Sequence, residues 1–154
     1  MSESNQTSRA VDNMEQAGDA GKSFRLEVLT PQKSAFSGGV VSFTAPGTEG
    51  GFEVLHDHAP FLTTITVGEV KMQFEDGGEA IYSTSGGFVE VSKNSVIFLA
   101  DTIERKDEID VQRARSARQR AEERLKSKEE GIDLARARAA LARSLNRLKI
   151  VGGL

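Results

Sequence analysis

Six arginines in the last third of the chain recur at a spacing that would place three of them on one face of each of two helices. They lie seven and then four residues apart in both segments, as Arg113, Arg120 and Arg124 and as Arg136, Arg143 and Arg147. A helix advances about 100° per residue, so positions seven and eleven apart return to nearly one face. Guanidinium groups bind phosphate and carboxylate oxygens through paired hydrogen bonds that lysine cannot match. The pattern predicts two faces that bind such groups; the alternative is two solvated faces neutralised by Asp and Glu.

A short repeat opens both segments. Residues 109–115, Ile-Asp-Val-Gln-Arg-Ala-Arg, recur at 132–138 as Ile-Asp-Leu-Ala-Arg-Ala-Arg. Asp107 is expected to be the N-cap of the first helix, because a side-chain oxygen there accepts a hydrogen bond from a free backbone N–H. Asp110 lies one turn before Arg113 and is expected to orient its side chain.

The two segments should form an antiparallel helical hairpin. Ala and Leu recur through both at spacings of three and four, and Gly131 separates them. Small Ala side chains bury little area, so at about 25 cal/mol per Å² the hairpin gains only a few kcal/mol from its own packing. We therefore expect it to rest on the preceding domain or on a partner, and to be able to leave that site.

The remaining polar motifs indicate no catalytic centre. His56-Asp57-His58 could direct two imidazoles to one side of a strand, but no third ligand accompanies them and a metal site is not expected. The sequence has no Walker-type phosphate loop, no Gly-x-Ser-x-Gly and no Cys nucleophile. An enzyme is therefore not expected.

The residues before the helices predict an all-β domain. Apolar and polar residues alternate in short segments, as in Phe24–Val28, with glycine-rich turns between them. A turn is expected at Ser37-Gly38-Gly39, and Gly86-Gly87 is expected to end a strand. Short strands at this spacing predict a β-sandwich or flattened barrel followed by an α-helical hairpin. The expected domains are a disordered N-terminal arm at 1–22, a β-sandwich at 23–105 and a two-helix hairpin at 106–154.

Composition narrows the possible partners. The net charge of −3 is divided, with 15 acidic and 8 basic residues in 1–106 and 8 acidic and 12 basic residues in 107–154. The basic end predicts an acidic or phosphate-bearing partner.

Other features of the composition indicate where the chain works. With no Cys, no signal-like start and no apolar run of about 20 residues, we expect a cytosolic, soluble chain without a transmembrane segment. Nucleic acid is not expected, because the chain is acidic overall and no aromatic residues lie between the arginines. A stand-alone β-sandwich binding module with a helical dimerisation tail remains an alternative.

Six short motifs, in a fixed order, resemble one family. They are Phe24–Pro31, Gly51–Pro60, Gly68–Val70, Gly86–Val91, Ile109–Ala114 and Ser144–Leu148. In this order and at these spacings they resemble the epsilon subunit of bacterial F-type ATP synthases, which is called delta in mitochondria. The resemblance covers about residues 24–150, with His56 where most members have Pro.

The resemblance implies a non-catalytic subunit of the central stalk, peripheral to the cytoplasmic face of the bacterial inner membrane. Its sandwich would contact the gamma subunit and the c-ring. Its hairpin would either lie on the sandwich or extend into the alpha/beta head and inhibit ATP hydrolysis. No cofactor is required, but ATP is a candidate regulatory ligand that would hold the hairpin on the sandwich.

The family's functional residues carry over to two sets of positions. The set implied for ATP is Glu104, Ile109, Asp110, Arg113, Ala114, Arg120, Arg143 and Arg147. The set implied for contacts with other subunits is His58, Arg136, Arg138, Arg143 and Arg147. The two roles would compete for the same arginines.

Overall fold

The computed structural model describes residues 22–154 and confirms a β-sandwich followed by an α-helical hairpin. The predicted disordered arm at 1–22 lies outside the described residues except for Lys22. The strands are β1 (Phe24–Leu29), β2 (Ser34–Val40), β3 (Ser42–Gly47), β4 (Gly50–Val54), β5 (Phe61–Ile65), β6 (Gly68–Gln73), β7 (Glu79–Ser92) and β8 (Ser95–Arg105). A short 3-10 helix at Lys106–Glu108 leads into α1 (Val111–Lys126) and α2 (Leu134–Ile150).

The long strand β7 organises the sandwich. One edge pairs antiparallel with β8, while the other pairs with β6 over residues 79–84 and with β5 over residues 87–91. The sheet order is β2-β1-β8-β7-β5-β3-β4, and β6 bridges β3 and β7. Because two different strands share one edge of β7, the sheet folds over onto itself and encloses a core between its layers.

The glycine pair at 86–87 does not end a strand, contrary to the sequence prediction. It forms an irregularity inside β7, where the register with β8 shifts twice. Both glycines have positive φ, at 128° and 148°, and a Cβ atom at Gly87 would collide with the carbonyl oxygen of Leu99. The pair thus bends β7 at the point where its partner changes from β6 to β5.

The turn predicted at Ser37–Gly39 is also absent, because these residues belong to β2. Gly38 pairs with Leu26 and Gly39 with Arg25 in an antiparallel ladder. The chain turns earlier, where the Thr30 backbone N–H donates to the Lys33 carbonyl at 2.9 Å. Neither Gly38 nor Gly39 has positive φ, so both fit a regular strand.

The core belongs to the sandwich alone. Its largest fully buried side chains include Phe43, Phe98, Leu26 and Met72, and the Phe43 and Phe98 rings lie 6.1 Å apart. No hairpin residue belongs to this cluster. Within residues 22–154, no helix is long and apolar enough to cross a membrane.

Candidate functional site

The repeated sequence forms the start of each helix. The Asp110 carboxylate accepts a hydrogen bond from the Arg113 backbone N–H at 3.0 Å, and Asp133 accepts one from the Arg136 backbone N–H at 3.1 Å. These are N-cap contacts, which satisfy backbone donors that the helix itself leaves free. Asp110 therefore bonds the backbone of Arg113, and within residues 22–154 the two side chains form no ion pair.

The first helix also begins three residues later than predicted. Asp107 lies in the 3-10 helix and pairs with Arg105 at 3.2 Å instead of capping α1. Between the two aspartates, Ile109 is 8% exposed and occupies the position before the cap. Ala114, at the fourth helical position, is 3% exposed, as in a hydrophobic staple. Burial of Ile109 fixes the chain direction and leaves Asp110 as the cap.

Buried residues, all but one of them small, form the seam between the two helices. They are Ala114 and Ala121 on α1 and Ala137, Ser144 and Leu148 on α2. Each α2 position lies 23 residues after its repeat equivalent on α1, and the equivalent of Leu148 is the half-buried Leu125. The seam that a dimerisation tail would use is thus occupied within one chain.

The six arginines lie on one side of the hairpin, which we call the arginine face. Five of them immediately precede a seam residue, and Arg124 precedes the half-buried Leu125, so each side chain lies about 100° from the seam around its helix. Antiparallel helices that pack through equivalent residues are related by a twofold axis perpendicular to their common plane. Residues that precede a seam residue by one position therefore lie on the same side of that plane, whichever helix they belong to. In agreement, Arg124 and Arg136 line one cavity of about 340 Å³ beside Gly131.

Most of the arginine face has no acidic partner. Arg147 is the exception, because its Nε donates to Glu104 Oε1 at 3.0 Å. Among residues 22–154, the other five arginines form no ion pair with Asp or Glu. Four of them are exposed and Arg143 is half-buried. Within the described part of the chain, neutralisation by Asp or Glu, which the alternative required, therefore applies to Arg147 alone among these six.

The structure brings together part of the set implied for ATP. Glu104, at the end of β8, contacts Arg147, and the arginine face places Arg113, Arg120 and Arg143 on the same side of the hairpin. Ile109 and Ala114 are buried at the start of α1, and Asp110 caps that helix. Four guanidinium groups beside a carboxylate could bind a polyphosphate and a neighbouring hydrogen-bond donor.

The set implied for other subunits is spread over separate surfaces. His58 lines one shallow depression with Val91 and Ser92, at the opposite end of β7 from the stretch that pairs with β6. Its Nδ1 is 2.7 Å from the Ala59 carbonyl oxygen, whereas His56 Nδ1 is 3.2 Å from Asp57. The two imidazoles thus have separate partners.

Arg138 also lies apart from the other arginines of that set. It follows the seam residue Ala137, so it lies on the side of the hairpin opposite Arg136. Arg138 and Arg136 therefore cannot contact a partner through the same side of the hairpin.

Sequence reasoning missed the residues that dock the hairpin. Asn146 Nδ2 donates to the Gly68 carbonyl at 2.9 Å and lies 2.9 Å from Ser83 Oγ. Asn146 lies about 180° around α2 from Ala137, so α2 separates α1 from the sandwich. The available signal was a lone amide opposite the seam, within the Ser144–Leu148 motif.

Both parts of the chain match known proteins. Residues 23–106 match the family described as ATP synthase, Delta/Epsilon chain, beta-sandwich domain, and residues 107–152 match its long alpha-helix domain. The chain is 45% identical over 108 residues to the ATP synthase epsilon chain of Desulforamulus reducens, covering 70% of this chain and 80% of that protein. It is 48% identical over 107 residues to the epsilon chain of Pelotomaculum thermopropionicum, covering 70% and 79%.

Solved structures share the fold at low sequence identity. A chain of the Euglena gracilis mitochondrial ATP synthase, solved as OSCP/F1/c-ring, superposes with a TM-score of 0.66 at 20% identity, covering 88% of this chain and 81% of that chain. A chain of the Tetrahymena thermophila mitochondrial ATP synthase central stalk and c-ring gives 0.56 at 15% identity, covering 82% and 95%.

Proposed function

Because the chain belongs to the ATP synthase delta/epsilon chain family, we propose that it is a non-catalytic central-stalk subunit that regulates ATP hydrolysis. Its sandwich docks on the gamma subunit and the c-ring, at the cytoplasmic face of the bacterial inner membrane. Its hairpin moves between the sandwich and the alpha/beta head. The observation that carries this proposal is an arginine face on which, among residues 22–154, only Arg147 has an acidic partner, on a hairpin that lies outside the sandwich core.

The hairpin can move as a unit because its packing is separate from that of the sandwich. The buried residues of the seam hold α1 against α2, and only α2 contributes substantial contact with β6 and β7. Undocking therefore exposes little of the sandwich core and leaves the helix pair intact. An extended hairpin would present the arginine face to an acidic segment of the head, through Arg136, Arg143 and Arg147.

The same face is proposed to bind ATP when the hairpin is docked. Arg113, Arg120, Arg143 and Arg147 would bind the triphosphate, and Glu104 and Ile109 would flank the base. Asp110 and Ala114 would act by fixing the start of α1. Glu104 belongs to the sandwich and the arginines belong to the hairpin, so a ligand that contacts both stabilises the docked position. ATP shifts the equilibrium by its difference in affinity for the two positions.

ATP hydrolysis by the reconstituted complex tests the regulatory role. We expect faster hydrolysis with a chain that ends at Lys106 than with the full chain. The shortened chain retains every residue of the sandwich core, so it should still assemble. Equal hydrolysis rates with both chains, at equal incorporation, would reduce the hairpin to a structural appendage.

Calorimetric titration of the isolated chain with ATP tests the nucleotide site. Arg113→Ala should weaken binding, whereas the matched control Arg115→Ala should not. Both arginines are exposed on α1, but Arg115 lies on the other side of the seam. Equal losses in both variants would assign the effect to net charge, and no binding by the unmodified chain would remove ATP from the proposal.

A further inference from the structure

The contact between the hairpin and the sandwich is a narrow strip. On one side of α2 lies an open groove of about 480 Å³, between Lys149 and Ile150 on the helix and β3 and β6 on the sandwich. A second groove of about 420 Å³ lies near the C-terminal end of α2, beside Val151 and Arg105. Because open grooves flank the strip, apolar burial holds the hairpin only in part, and the few polar contacts gain importance.

The half-buried amide of Asn146 spans two strands within this strip. Gly68 begins β6, and Ser83 lies on β7 next to the residue that pairs with Gly68. The Gly68 carbonyl can only accept a hydrogen bond, so the NH₂ group of the amide must point toward it. Both N–H donors of that group are then directed at the sandwich, one to each strand.

We propose that Asn146 is the positioning residue that latches the hairpin on the sandwich. This proposal rests on the movement proposed above and assigns the docked position to a specific donor group. Ser83 is 6% exposed, so its hydroxyl is shielded from water while the hairpin is docked, whereas Asn146 is half-buried and borders the groove beside Lys149. On release, the amide, the hydroxyl and the Gly68 carbonyl can all bond to water instead. Because hydrogen bonds to water replace those within the protein, the net free energy of the latch is small. It is large enough to favour the docked position and small enough for the hairpin to be released.

Energy transfer between two dyes on the full isolated chain measures the hairpin position. The chain has no cysteine, so Glu90→Cys on the sandwich and Lys128→Cys after α1 provide the only two attachment sites. Urea dependence of the transfer efficiency, extrapolated to water, gives the ratio of docked to released hairpin even where release is rare. Asn146→Asp keeps the shape but removes both donors, and Asn146→Leu removes all polar atoms. Each should lower that ratio about tenfold, as expected for losing two hydrogen bonds. A ratio within twofold of the original would overturn the proposal.

Ser83→Ala separates the latch from a general loss of helix stability. Alone it should lower the docked-to-released ratio about threefold, because one of two acceptors is lost. Added to Asn146→Leu, Ser83→Ala should lower the docked-to-released ratio no further, because the contact is already gone. If the two fold-changes multiply instead, the residues act independently and a direct contact is contradicted. Gln112→Ala is the control, because Gln112 is an exposed amide on α1 with no hydrogen-bond partner among residues 22–154.

The hydrolysis assay distinguishes failure of this inference from failure of the proposed function. If shortening the chain speeds hydrolysis but the Asn146 variants leave the dye ratio unchanged, regulation stands and the latch is wrong. If the variants release the hairpin in the isolated chain but the shortened chain leaves hydrolysis unchanged, the latch stands and regulation is wrong.

Discussion

Removing the cap from either helix should destabilise the hairpin by a similar amount. Asp110 and Asp133 each accept one backbone hydrogen bond, and neither helix has another acidic residue in its first turn. Loss of a cap costs about 1 kcal/mol, and loss of negative charge near the positive end of the helix dipole adds about 0.3–1 kcal/mol. Asp→Ala should therefore cost about 1–2 kcal/mol at each site, and Asp→Ser, which keeps the acceptor, less than half of that.

Urea unfolding followed by circular dichroism at 222 nm measures these losses. The two aspartates lie at opposite ends of the hairpin, so the losses should add in the double variant. The same proteins, titrated with ATP, test whether Asp110 acts only as a cap. In that case Asp110→Ser and Asp133→Ser should retain similar ATP affinity. Our reading of the repeat is wrong if Asp110→Ser is as destabilising as Asp110→Ala, or if neither change affects stability.

Three further changes test the seam, the bend in β7 and a buried titratable group. Leu148→Ala, at a fully buried seam position, should destabilise the hairpin by about 2–5 kcal/mol in urea unfolding, while the control Leu134→Ala, at a 44% exposed position, should cost far less. Gly87→Ala should lower the melting temperature of the sandwich, because positive φ and the collision with the Leu99 carbonyl cost at least about 1–3 kcal/mol; an unchanged melting temperature would contradict the bend. Burial raises the pKa of Tyr82 above its usual 10.0, and nearby Arg105 partly opposes this. Folding therefore favours the protonated phenol, so stability should fall as pH rises above about 10, and less so in Tyr82→Phe. Tyr82 is the only tyrosine, so absorbance at 295 nm follows its titration directly, and a midpoint at or below 10 would refute the burial effect.

Glycine pairs show why strand boundaries were harder to predict than the fold. The alternation of apolar and polar residues identified the sandwich, yet Gly38-Gly39 lies within a strand and Gly86-Gly87 bends one. Glycine permits positive φ but does not require it. Whether a glycine uses that freedom depends on which strands pair beside it, and those strands come from distant parts of the chain.

The start of α1 shows the same limit at the residue level. Asp107 and Asp110 both have a side chain suited to capping, so local chemistry could not choose between them. The choice depends on burial of Ile109 and on where β8 ends, with Arg105. The repeated Ile-Asp pair was the better signal, because the same pair caps α2 through Asp133.

The sequence by itself determined the two helices and the three-residue arginine row on each, because periodicity is a property of the local chain. Packing decided which positions of the Ala–Leu pattern form the seam, since Leu134 is 44% exposed and Ser144 is fully buried. Tertiary structure alone decided that both rows lie on one side of the hairpin, since that follows from antiparallel packing through equivalent residues. It also decided that Arg147 meets Glu104, 43 residues earlier, and that Asn146 meets Gly68, 78 residues earlier. No local pattern encodes such pairs, because they form only when α2 rests on the edge of a sandwich that earlier residues have built.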